Sequence, residues 1–148
     1  MSMIEVKTSE LIGPALDWAV AETEGIQRFA MGSDWPGNSV VADAADRDRV
    51  VICNLFGRLV VARGGWSNEW SPSTDWAQGG PLIDKHNVEI LRAGDCVMAK
   101  LYGLTNAAGD GKTPLIAACR AIVAAKLGDA VSVPEELVQQ QGEGGEKA

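Results

Sequence analysis

Apolar residues recur at helical spacing in two separate parts of the chain, one near each end. In the first part they recur at steps of three and four residues, at Leu16, Ala19, Val20 and Thr23. We expect Thr8 or Ser9 to cap this helix and Pro14 to lie in its first turn. Gly25 follows the pattern and predicts its C-terminal end.

The second helix is signalled at both of its ends. Thr113 is a suitable N-cap, Pro114 falls at the first helical position, and Gly128 marks the end. Small residues on this segment would let the helix lie close against a sheet, namely Ala117, Ala118, Ala121, Ala124 and Ala125.

Between the two helices the pattern changes to short β-branched runs. Val50–Leu55 and Leu59–Ala62 predict one hairpin, and Val88–Leu91 with Cys96–Tyr102 predict a second. Consecutive strands joined by short turns favour antiparallel pairing. The predicted fold is therefore α+β, with a small, largely antiparallel sheet of about four strands packed against an N-terminal and a C-terminal helix.

The length of 148 residues is that of one domain. We expect a single α+β domain over residues 1–134, followed by an acidic, disordered tail over residues 135–148. Within the domain, Met31–Asp48 is rich in Gly, Asp, Ser and Pro and predicts an extended loop.

Charge and hydropathy restrict the possible partners. The formal net charge is −7, and no Lys/Arg-rich run is present to neutralise phosphates, so direct nucleic-acid binding is disfavoured. No apolar run approaches the ~20 residues that span a bilayer, and the first residues do not resemble a signal peptide. We therefore expect a cytoplasmic protein, with the acidic surface allowing a partner protein that has a basic face.

The residues that usually carry metal or nucleophilic chemistry are sparse. Cys53, Cys96 and Cys119 lie far apart among apolar neighbours, which is typical of buried thiols rather than a zinc site. The single histidine, His86, lies in a polar turn, where we expect it to be solvated. The sequence predicts no metal site, no cofactor and no Ser/His/Asp arrangement.

Gly109–Thr113 follows a predicted strand and opens a helix, which is the setting of a phosphate-binding loop. Its spacing departs from that motif, because Asn106 stands where the first glycine is required. Pro114 also removes a backbone donor at the helix start. The segment is better interpreted as a hairpin exit and helix cap.

The segment Trp66–Pro81 contains three of the five tryptophans and many short polar side chains. Two interpretations stay open: a structural Ω-type loop that closes one end of the sheet, and a binding site with aromatic walls. The candidate ligand- or partner-binding residues are Trp70, Asp75, Trp76 and Gln78, with Arg120 of the second helix as a further candidate.

Four stretches resemble the NinX-like proteins of lambdoid phages and prophages: Lys7–Leu11, Ala15–Ala21, Trp70–Asp84 and Thr113–Arg120. Family members tend to carry Tyr at the position of Trp70, which keeps an aromatic wall but adds a hydroxyl. Many also have a tryptophan in the strand near Val97. The resemblance implies a phage accessory protein in the cytoplasm of a bacterial host, and it brings no reaction with it.

Two hypotheses follow for the function. The first is a non-enzymatic module that binds a host or phage protein through the Trp-rich segment. The alternative is an enzyme that modifies a small molecule or nucleotide, using the carboxylates Glu69 and Asp75 beside that segment. Small helix-on-sheet domains often pair through an exposed strand edge, so the sequence also allows a homodimer.

Overall fold

A computed structural model describes residues 3–30, 49–53, 58–63, 66–101, 108–135 and 137–138 of the chain. Three α-helices occur in these residues: α1 (Gly13–Thr23), α2 (Trp76–Lys85) and α3 (Pro114–Leu127). A 3-10 turn over Thr8–Glu10 precedes α1. The strands are β1 (Met3–Lys7), β2 (Gln27–Ala30), β3 (Arg49–Cys53), β4 (Arg58–Arg63), β5 (Trp66–Glu69), β6 (Val88–Ala93), β7 (Cys96–Leu101), β8 (Ala108–Gly111) and β9 (Ala130–Pro134).

The described strands form three small sheets rather than one. Strands β1 and β9 pair antiparallel, which brings the two ends of the folded chain together. The second sheet has the order β2-β3-β4-β5, in which only the β2–β3 pair is parallel. The third sheet is the antiparallel meander β6-β7-β8. The α+β class and the predominance of antiparallel pairing are thus confirmed.

Helix α3 lies at the centre of the molecule, against β7, β8 and α1. Thr113 caps it by accepting a hydrogen bond from the Ile116 backbone N–H at 3.2 Å, and Gly128 ends it with a positive φ of 95°. Three of the five predicted small residues, Ala117, Ala118 and Ala121, are buried, and Ala124 and Ala125 are partly buried. Small side chains allow the close approach that a central helix needs, because a larger residue would hold the neighbouring backbone away.

Both predicted hairpins are confirmed. Strands β3 and β4 pair with Cys53 opposite Arg58, and β6 and β7 pair with Ala93 opposite Cys96. The extended loop predicted for residues 31–48 lies outside the described residues, as does most of the tail predicted for residues 135–148. Leu137 is described and is fully buried in the core.

Two local expectations were wrong. The segment Trp66–Pro81 is not one continuous loop, because it contains β5 and most of α2. Neither Thr8 nor Ser9 caps α1: Ile12 occupies the cap position without a side-chain bond, and the Thr8 hydroxyl donates to the Gly128 carbonyl at 2.6 Å. The Thr8 side chain, which was expected to cap α1, therefore bonds instead to a residue 120 positions away in the sequence.

The two adjacent glycines of α2 make a matched test of its packing. A Cβ on Gly79 would fall 2.7 Å from Leu115 Cδ2 and against the Pro72 carbonyl, whereas a Cβ on Gly80 would lie 3.6 Å from Trp76 Cε3. We expect Gly79→Ala to lower the free energy of unfolding by about 1–3 kcal/mol, through overpacking. Gly80→Ala should raise it by about 0.5–1 kcal/mol, because alanine loses less backbone entropy in a helix.

Urea unfolding of the two variants beside the parent protein checks this prediction. Equal changes in the two variants would show that α2 does not pack as closely on α3 as the structure indicates.

Candidate functional site

The segment after β5 docks on α1 through two hydrogen bonds to one residue. The Trp70 indole N–H donates to the Asp17 backbone carbonyl at 2.8 Å, and the Ser73 backbone N–H donates to Asp17 Oδ1 at 2.8 Å. Ser73 is 1% exposed and Asp17 is 4% exposed. Main chain and side chain of one helical residue therefore hold both sides of the turn that follows β5.

The Asp17 carboxyl is held in an apolar setting. Burial raises its pKa to about 7; the Ser73 N–H and hydroxyl lower it, and the charge of Glu69 adds to the increase. The Ser73 hydroxyl faces the carboxyl, but its geometry falls short of a hydrogen bond to any described atom. Burial, with a smaller contribution from the charge of Asp17, raises the pKa of the neighbouring Cys119 thiol, so Cys119 is an inert core residue, as expected.

Asp75 and Gln78 connect this turn to α2. Asp75 is the N-cap and accepts a hydrogen bond from the Ala77 N–H at 3.0 Å. Gln78 bridges the start of the segment: its Oε1 accepts from the Ser71 N–H at 2.7 Å, and its Nε2 donates to the Glu69 carbonyl at 2.6 Å. The polar atoms of these two candidates are thus engaged in shaping the segment.

Trp76 differs from Trp70 because most of its side chain faces solvent. It is the first residue of α2 and is 57% exposed, whereas Trp70 is partly buried against the core. The segment beneath Trp76 is fixed by the bonds to Asp17 and Gln78. This arrangement presents a large aromatic surface at low conformational cost, since the backbone that carries it is already ordered.

The structure brings four of the predicted site residues together and separates the fifth. Trp70, Asp75, Trp76 and Gln78 lie within nine consecutive residues, whereas Arg120 lies on α3. There the Arg120 guanidinium donates to the Leu11 carbonyl at 2.8 Å and to the Asp110 carbonyl at 2.7 Å. It lines two shallow clefts of about 230 and 370 Å³ and bridges β8 to the start of α1.

The expectation of a solvated His86 was wrong. Its side chain is 9% exposed, and Nε2 lies 2.8 Å from Glu24 Oε2. Burial by itself would raise the pKa of Glu24, but the hydrogen bonds from Lys85 and His86 lower it below its usual value. The three residues tie the C-terminal end of α2 to that of α1, so this polar turn is a tertiary contact.

The glycines of the Gly109–Thr113 segment serve close packing. The segment begins in strand β8, so the predicted hairpin exit was wrong while the helix cap was right. A Cβ on Gly109 would fall 2.6 Å from both the Ala117 carbonyl oxygen and the Ala121 nitrogen of α3. Strand and helix can approach this closely only when glycine faces the helix, which accounts for the motif without a phosphate.

Comparison with known protein families shows what this chain is similar to. The sequence matches the family described as "Bacteriophage P22, NinX" over residues 7–126. The chain belongs to the NinX family of phage proteins. A comparison with curated proteins finds no match. The match to the NinX family spans α1, the Trp-rich segment and most of α3, so it includes every candidate residue named above.

The described residues of this NinX-family chain contain neither a metal-binding cluster nor a membrane-spanning helix. No three His, Cys, Asp or Glu side chains in the described ranges come together as a metal site requires. Likewise, none of the helices in the described part of the chain is long and apolar enough to cross a bilayer. Polar groups do come together at two places, around Asp17 and around Glu24.

Asp17 escaped the sequence analysis because of its position in the chain. Asp17 stands between Leu16 and Trp18 in a helix, where an acid normally indicates the solvent face. In α1, however, every residue from Ala15 to Ala21 is buried. A run of seven buried residues has no solvent face, and a polar residue within it must find a partner.

The pKa of Asp17 predicts how stability depends on pH. The folded-state pKa of about 7 exceeds the ordinary value of 3.8, so folding takes up a proton between these values. Stability should therefore fall as pH rises from about 4 to 7 and level off above 7. Asp17→Asn keeps an acceptor for the Ser73 N–H, and we expect it to remove most of this decline, on the order of a few kcal/mol.

Urea unfolding at pH 5 and pH 8 measures this difference. Asp84→Asn, which removes a carboxylate from an exposed position of α2, is the matched control. An unchanged pH dependence in Asp17→Asn would contradict the assignment.

Proposed function

We propose that this phage accessory protein works in the cytoplasm of the bacterial host as a non-enzymatic interaction module. In this proposal it binds a host or phage protein through the Trp-rich segment, with Trp76 at the centre of the contact. The single observation that carries the proposal is the exposure of 57% of Trp76 on an otherwise anchored segment.

The rigidity of the support favours a binding role for Trp76. Tryptophan is among the residues that contribute most to protein–protein binding energy, and such residues bind best when they are already ordered. Here Asp17 anchors Trp70 and Ser73, and Gln78 bonds across the turn. The stability of the fold does not account for an exposed indole, because burying it would have contributed more.

Charge favours a protein over a nucleic acid as the partner. A net charge of −7 repels phosphates, whereas it attracts a basic protein surface and increases the rate of encounter with it. The enzymatic alternative with Glu69 and Asp75 gains no comparable support. The Asp75 carboxylate, one of the two that this alternative requires, is already engaged as the cap of α2.

Substitution of Trp76 tests the proposal. Tagged wild-type protein and Trp76→Ala would be purified from lysate of the phage-infected host, and the proteins and small molecules in each eluate identified by mass spectrometry. We expect one protein to be present with the wild type and absent with the variant. Calorimetry with that protein should then show affinity reduced by at least about tenfold, as for a binding hot spot.

Two further variants make the result specific. Trp76→Phe retains an aromatic surface and should retain part of the affinity. Met3→Ala removes another exposed apolar side chain, 45% exposed on β1, and should change nothing. Identical protein eluates from a folded Trp76→Ala variant would sink the proposal. Loss of a nucleotide or metabolite alone would favour the enzymatic alternative.

A further inference from the structure

Strand β6 forms one edge of its sheet. Among the strands that the structure describes, it is hydrogen-bonded only to β7. Five of its six residues are exposed, and the sixth, Val88, is partly buried. An exposed edge strand presents unpaired backbone N–H and C=O groups, which another strand can take up.

The apolar side chains beside this edge are unusually exposed. Leu91 is 68% exposed and stands directly opposite Met98 of β7, which is 46% exposed. Ile90 on the other face of the strand is 37% exposed. These residues line a groove of about 400 Å³ that runs across β6 and β7. The groove lies on a different sheet from the one that ends at the Trp-rich segment.

We propose that β6 pairs antiparallel with β6 of a second copy of this chain, about a two-fold axis that passes at Leu91. A two-fold axis perpendicular to a sheet keeps the same face outward in both copies. Two residues that face each other across the axis must then both have odd numbers or both have even numbers, because side chains alternate between the two faces of a strand. The axis can therefore pass only at a residue, and Leu91 has the most exposed large apolar side chain of the strand.

Charge selects a second copy over a charged partner. The chain has a net charge of −7, yet β6 itself carries one acid, Glu89, and one base, Arg92. In the proposed register Glu89 stands opposite Ala93 of the second copy, and Ile90 stands opposite Arg92. No like charges face each other, so two acidic molecules would meet at a strand with no net charge.

Pairing would convert two three-stranded sheets into one sheet of six strands. On its outer face the side chains Met98 and Leu91 of one copy and Leu91 and Met98 of the other form a continuous apolar row. Cross-strand apolar pairs of this kind stabilise a sheet. One strand per copy covers less area than the roughly 1,600 Å² of a standard interface, so the dimer should be weak and concentration-dependent.

Sedimentation equilibrium of the full chain, from low to high micromolar protein, tests the association. We expect the wild-type weight-average mass to rise from one copy towards two as concentration increases. Leu91→Lys places two cations at the axis and should keep the mass at that of one copy. Met3→Lys is the matched control, because it adds the same charge at an exposed apolar position on β1 and should dimerise like the wild type.

Circular dichroism and urea unfolding of Leu91→Lys establish that the variant is folded, so that loss of association is not loss of structure. A wild type that stays monomeric throughout would overturn the proposal. So would a folded Leu91→Lys variant that dimerises as well as the wild type.

A thiol cross-link tests the register separately. In a Cys96→Ser background, a short bifunctional maleimide should join two copies of Leu91→Cys, because directly opposed Cβ atoms lie about 5 Å apart. It should not join two copies of Glu89→Cys, which would be offset by four residues, or about 13 Å along the strand. Equal cross-linking of both variants, or preferential cross-linking through position 89, would overturn the placement of the axis.

Discussion

The buried carboxyl of Asp17 is the contact on which the arrangement of the Trp-rich segment depends. A carboxyl in an apolar core is unfavourable unless it has hydrogen-bonding partners, and the Ser73 N–H provides one. The Asp17 carbonyl simultaneously accepts the Trp70 indole N–H. Because both bonds originate in one turn of α1, the segment cannot move without leaving a polar group of the core unpaired. The position of α2, and of Trp76 on it, follows from this constraint.

The elements with local signals could be predicted from the sequence. Thr113, Pro114 and Gly128 mark α3 through the chemistry of helix ends, which acts within a few residues. The two hairpins could be predicted equally well, because two β-branched runs separated by a short turn have few alternative structures. Strands β1 and β9 were missed although Ile4 and Val6 alternate with polar residues, as Val131 and Val133 do. Each strand has only five residues, and its partner lies at the other end of the chain.

The sequence singled out a segment whose candidate residues lie together in the structure, but the roles of those residues could not be assigned from the sequence. Asp75 and Gln78 are suited equally to binding a ligand and to capping a helix, and only coordinates show that their bonds are made internally. Asp17 could not be found, because its significance depends on α1 being buried on every side. The error at His86 has the same origin: a polar turn indicates solvent unless another element, here Glu24 of α1's C-terminal end, covers it.

The apolar side chains that remain exposed are informative because most other apolar side chains that the structure describes are buried or partly buried. The neighbouring elements pack so closely on α3 that a single added Cβ would clash at Gly79 of α2 or at Gly109 of β8. A sequence that packs its interior this tightly nevertheless leaves Trp76 and Leu91 largely in water. Neither exposure improves stability or solubility, since apolar surface in water contributes to neither. The two residues lie on separate elements, α2 and β6, so each surface requires its own explanation: a rigid aromatic contact at Trp76 and an unpaired strand edge at Leu91.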